Sequence, residues 1–177
     1  MSTEYFAYSE DPSAVAVDDL LARCRKAGFE CRVLRGQSES IASGPLASED
    51  AIVGWKSSWF GNRKAGLAAS GADWKTMDEL QDRNVIGVCA IEIWDDPSAF
   101  NNDAEIEEAR SVYGADYAAY RGKSRVRWYV RLASGSSGLS VALAEIVLKA
   151  LLGLRGGLFE DPQSGECQIS TRDERRA

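Results

Sequence analysis

Residues 138–154, GLSVALAEIVLKALLGL, limit the fold of this chain more than any other stretch. Twelve of the seventeen positions are Leu, Val, Ile or Ala. A helix made of them is apolar round most of its circumference and has to be buried. Glu145 and Lys149 stand four apart, in the favourable order for one helix side. Ser136 or Ser137 can cap the start, and the glycines at 153, 156 and 157 can end the helix. The run is shorter than the roughly 20 residues a bilayer span requires. It reads as a core helix around which the rest must wrap.

The flanking segments supply a sheet. Residues 124–132, SRVRWYVRL, alternate strictly: Val126, Trp128, Val130 and Leu132 go inward, and Arg125, Arg127, Tyr129 and Arg131 go outward. Residues 84–94, NVIGVCAIEIW, are apolar on both faces and predict a central strand. Val85, Cys89, Ile91 and Ile93 are on or near one face; Ile86, Val88, Ala90 and Trp94 fill the other. Shorter strands are expected at 4–9, 29–34, 51–60, 158–160 and 166–170, the last two joined by a turn at Asp161-Pro162.

Amphipathic helices are expected at about 14–27, where Val17, Leu20, Leu21 and Cys24 recur at helical steps, and at 102–120. Asn102 with Glu105 makes a capping box for the second. Its inner stripe is Ile106, Ala109, Val112 or Tyr113, Tyr117 and Tyr120, and Gly114 is a point where it can break. A short helix over 73–83 would use Trp74, Met77 and Leu80. Residues 36–50 and 61–71 read as loops. The predicted class is α/β of the α+β kind. It is one two-layer domain over residues 1–170, with a mixed, mostly antiparallel sheet, the buried C-terminal helix and two amphipathic helices. Residues 171–177 form a charged tail. A chain of 177 residues suits that single core.

Composition narrows function. The sequence has no histidine, so a Ser-His-Asp or Cys-His catalytic machine cannot be built from it. Cys24, Cys31, Cys89 and Cys167 form no CxxC pair and read as free thiols of a reducing cytoplasm. No cofactor or metal is expected. The first residues lack the basic and apolar regions of a signal peptide, which points to the cytoplasm. A formal net charge of −6 repels nucleic acid and suits a basic protein partner.

Three groups of residues invite a functional reading. Asp95, Asp96, Asp103, Glu105, Glu107 and Glu108 lie just after the central strand. Together they could form an acidic surface that steers a basic partner, or simply a solvated helix start. Their spacing does not match an EF-hand loop. Trp55 and Trp59 could anchor a partner or staple the core. Arg125, Arg127 and Arg131 could receive a carboxylate or phosphate, or pair with neighbouring acids. The glycines at 153, 156 and 157 precede a strand, the wrong order for a nucleotide loop.

The segment from Leu139 to Gly165 joins an apolar helix to a glycine break and then GGLFEDPQSG. With the helix end and strand AGFECRVL, it resembles small α/β immunity proteins of bacteria. The resemblance implies a cytoplasmic protein that binds and neutralises a cognate toxin of contact-dependent or type VI secretion systems. It implies no catalytic residues, since such proteins act by binding and by occluding the toxin's active site. The acids from Asp95 to Glu108, with Trp55 or Trp59 as anchor, would be the contacts. The protein would be a monomer or weak homodimer, with no nucleic-acid or membrane partner. The alternative is a small-ligand module or enzyme using carboxylates or the Arg125/Arg127/Arg131 ladder. That alternative requires a deep pocket with convergent polar groups.

Overall fold

The computed structural model describes residues 3–35, 40–56, 74–132 and 136–170. In chain order the strands are β1 (Thr3–Ser9), β2 (Phe29–Arg35), β3 (Ser40–Ile41), β4 (Asp50–Lys56), β5 (Gly87–Trp94), β6 (Val126–Leu132), β7 (Gly157–Asp161) and β8 (Glu166–Ser170). The helices are α1 (Val17–Lys26), α2 (Trp74–Asp82), α3 (Asp103–Tyr113), α4 (Ala115–Lys123) and α5 (Gly138–Arg155), with a 3-10 turn at Pro97–Ala99.

All eight strands join one sheet in the order β3-β2-β4-β5-β6-β1-β7-β8. Each ladder is antiparallel, which narrows the expectation of a mixed sheet. The reason lies in the two helical crossovers. The one through α5 joins β6 to β7 with β1 between them. The one through α1 joins β1 to β2 with three strands between them. Like-directed strands are therefore never neighbours.

Ser137 caps α5 by accepting from the Ser140 N–H at 3.2 Å, and the chain turns off at Gly156. On α5, Leu143, Ala144, Val147, Leu148, Leu151 and Leu152 are wholly buried. The helix lies across β1, β4, β5, β6 and β7 and against α1. Its start sits close to β5. A Cβ on Gly87 would fall 2.5 Å from the Leu139 carbonyl oxygen, so only glycine permits this approach. The buried Ser140 hydroxyl accepts from the Val88 N–H at 3.0 Å and from Gln81 at 3.2 Å, which ties helix to sheet. Val126, Trp128, Val130 and Leu132 face this core, as their alternation predicts. No helix among the described residues is long and apolar enough to cross a membrane.

The opposite face of the sheet carries two smaller clusters. Leu34, Val53, Trp55, Met77 and Ile86 form one, beneath α2. Tyr8, Phe100, Ala109, Tyr117 and Leu158 form the other, beneath α3 and α4. Between them Ala90 of β5 is exposed rather than covered. The expected helix over 102–120 is broken at Gly114, whose φ of 98° and ψ of 171° suit glycine alone. Tyr113 turns inward, and Val112 is left 61% exposed.

Candidate functional site

The second smaller cluster borders a cavity of about 450 Å³ between α3, α4 and the sheet. Strand register supplies its floor. Tyr8 of β1 is paired with Arg127 of β6, Phe6 with Tyr129, and Phe6 on the other side with Glu160 of β7. Alternation then places Phe6, Tyr8, Arg127 and Glu160 on the face away from α5. The helices α3 and α4 contribute the roof. Asn102 caps α3 by accepting from the Glu105 N–H at 3.0 Å, as its spacing predicts. Asn101 donates to the carbonyls of Arg121 and Ser124 at 2.8 and 3.1 Å, which fixes the end of α4.

Three charged side chains are buried at this junction: Arg121, Arg127 and Glu160. Arg121 Nη2 donates to Glu105 Oε2 at 2.7 Å and to the Phe100 carbonyl at 3.3 Å. Its Nη1 stands 4.0 Å from Glu160 Oε2, and its guanidinium lies 4.9 Å from the Tyr8 ring centroid. One side chain thus clamps α3, α4, β1 and β7 together. The Tyr117 hydroxyl donates to Glu160 Oε2. Burial first, and then the Glu160 charge, push the Tyr117 phenol far above its ordinary value. Tyr8 is raised for the same two reasons, with Arg121 and Arg127 opposing. Tyr113 is pushed up to about 12, mainly by desolvation and then by Glu160.

Arg127 is held differently. Its guanidinium lies 4.0 Å from the Trp94 ring centroid and 5.4 Å from those of Phe6 and Phe100. This is a cation–π cage. Arg127 forms no ion pair among the described residues; its guanidinium donates to the Tyr8 hydroxyl, and its buried Nε has no hydrogen-bond partner. The ladder read from the sequence is therefore split. Arg125 and Arg131 are exposed, whereas Arg127 is roofed by segments that return over the sheet.

Of the acids singled out in the sequence, Asp95, Asp96, Asp103, Glu107 and Glu108 are exposed. Asp96 accepts from the Ser98 hydroxyl and N–H, which holds its carboxyl below the usual range. Glu107 pairs with Arg110 at 3.3 Å. Glu105 is half-buried and committed to Arg121. Glu108 and Val112 line the cavity from its α3 side. Asp95 lines a separate hollow of about 290 Å³ with Pro12, Leu46, Ile93 and Trp128. Trp55 is not a surface anchor: it is buried under α2 against Met77 and Ile86. Trp59 lies outside the described residues.

Arg121, Glu160, Tyr117 and Tyr8 are absent from the candidate functional residues read from the sequence, where Tyr117 belongs only to a helix's inner stripe. One signal for Arg121 was present. It continues the inner stripe by a four-residue step from Tyr113 through Tyr117. Among the described residues no three His, Cys, Asp or Glu side chains converge as metal ligands. No family model, curated protein or solved structure matches this chain.

Proposed function

We propose that this chain is an immunity protein that binds a cognate bacterial toxin in the cytoplasm and covers the toxin's active site with the acidic face of α3. The observation that carries the reading is the placement of charge. Asp95, Asp96, Asp103, Glu107 and Glu108 are exposed on one short segment. That segment is fastened by the Asp96 and Asn102 caps and by the Arg121 clamp. Acids fixed on a rigid support lose little freedom on docking. They also steer a basic partner towards one face. Val112 projects beside them as an apolar contact.

A standard interface of about 1,600 Å² in total would extend from α3 across the cavity mouth. Co-expression with the product of the neighbouring gene tests the reading. That product should arrest growth alone, be harmless beside this chain, and co-purify with it in a fixed ratio. A product that is harmless alone, or that stays lethal in the presence of this chain, overturns it.

A further inference from the structure

The toxin-binding reading gives Arg127 no part, yet of the three buried charges at the α3–sheet junction it is the one with no oppositely charged partner among the described residues. We infer that the cavity is a binding site for a small organic monocarboxylate seated on the Arg127 guanidinium.

The inference starts from what each charge already touches. Arg121 is paired with Glu105 and stands beside Glu160. Glu160 accepts from Tyr117, and Glu4 accepts from the Tyr129 hydroxyl at 2.9 Å. Arg127 is 9% exposed, lines the cavity and has no carboxylate partner among the described residues. Rings occupy its faces, the neutral Tyr8 hydroxyl is a hydrogen-bond neighbour of its guanidinium, and Nε is sealed without an acceptor. A buried guanidinium ordinarily takes a carboxylate in its plane. Aromatic faces do not fill that role, because they attract the cation without accepting its N–H groups in plane.

The walls choose among anions. Phe6, Ala109, Val112, Tyr113 and Pro162 offer apolar surface to the body of a ligand. Glu4, Glu105, Glu108 and Glu160 line the same space, so a dianion such as phosphate meets more repulsion than a single carboxylate does. The favoured occupant therefore carries one carboxylate on a short hydrocarbon.

The inference is independent of the toxin, and its test uses the full chain alone. Two nuclear magnetic resonance signals report directly: the Arg127 Nε–H and the Trp94 indole N–H. The protein is titrated with hexanoate, acetate and inorganic phosphate at constant ionic strength. Hexanoate should move both signals saturably, with a Kd of about 1 mM or tighter. Acetate should bind more weakly, and phosphate should leave both in place. Arg127→Lys keeps the charge but loses the fork, and should weaken hexanoate by about tenfold or more. The wild-type titration decides the matter even if that variant does not fold. No saturable shift with either carboxylate would mean that the aromatic cage and the Tyr8 hydroxyl account for Arg127. Equal shifts with phosphate would mean a general ionic response. Either result overturns the inference.

Discussion

Truncating Leu148 to alanine should show most plainly that α5 holds the sheet in form. Leu148 is wholly buried in the largest core, on the helix face that meets the strands. The change deletes three carbons, worth about 0.8 kcal/mol each in transfer alone. The surrounding side chains on α5 and the sheet leave little room for collapse, so a cavity term adds to this. The expected loss is about 3–4 kcal/mol, inside the usual range for such sites. In a chain of this size that lowers Tm by about 6–16 °C. Val141 sits on the same helix but is only half-buried, so Val141→Ala should cost about 1 kcal/mol or less. Urea unfolding followed by circular dichroism measures both, with m unchanged between variants. A cost below about 1 kcal/mol for Leu148→Ala, or equal costs for the two variants, would refute the assigned packing.

Other outcomes follow from the same geometry. Gly114→Ala meets no atom within 4 Å, so its whole penalty is conformational. It should destabilise by about 1–3 kcal/mol in thermal melts, and a neutral result would contradict the break between α3 and α4. Cys167 is exposed, whereas Cys24 and Cys89 are buried. A thiol reagent should label Cys167 first and reach Cys24 and Cys89 only on unfolding, and mass mapping would reveal any other order. Tyr8, Tyr113 and Tyr117 have phenols raised in the folded state, Tyr113 to about 12. Their contribution to stability is complete below the unfolded value near 10 and declines as pH rises above it; that of Tyr113 is lost by about 12, while those of Tyr8 and Tyr117 persist to higher pH. Absorbance of tyrosinate and loss of structure should therefore rise together in that window. Independent ionisation of these tyrosines near pH 10 with the fold intact would contradict their burial.

Local patterns in the sequence carry much of the architecture. The apolar run of α5 and the inward residues of β6 and β5 each specify their own burial within one segment, whereas the outer face of β5 is only partly covered, with Ala90 exposed. Caps at Asn102 and Ser137, and the break at Gly114, are equally local. What the sequence leaves open is which distant segment covers which face. Outward alternation correctly puts Arg127 on the face away from α5, but the residues that roof it, Phe100 among them, come from a segment that folds back over β1 and β6. Trp55 has the same history: its neighbours in sequence are a glycine and a lysine, yet Met77 of α2 buries it. The clamp of Arg121, Glu105 and Glu160 depends on three separated elements. Each residue alone reads as an ordinary surface charge.

The proposed role rests on the charge of α3, and reversing that charge tests it most directly. Asp103, Glu107 and Glu108 are exposed, so changing all three to lysine should leave the chain folded, at a cost of about 1–2 kcal/mol from the lost helix-end charge and the Glu107–Arg110 pair. Association with the neighbouring gene's product should be followed by stopped flow at several salt concentrations. The account predicts that the triple variant associates at least about tenfold more slowly, with a flattened salt dependence, and no longer protects cells. A folded triple variant that binds and protects like the wild type would contradict it.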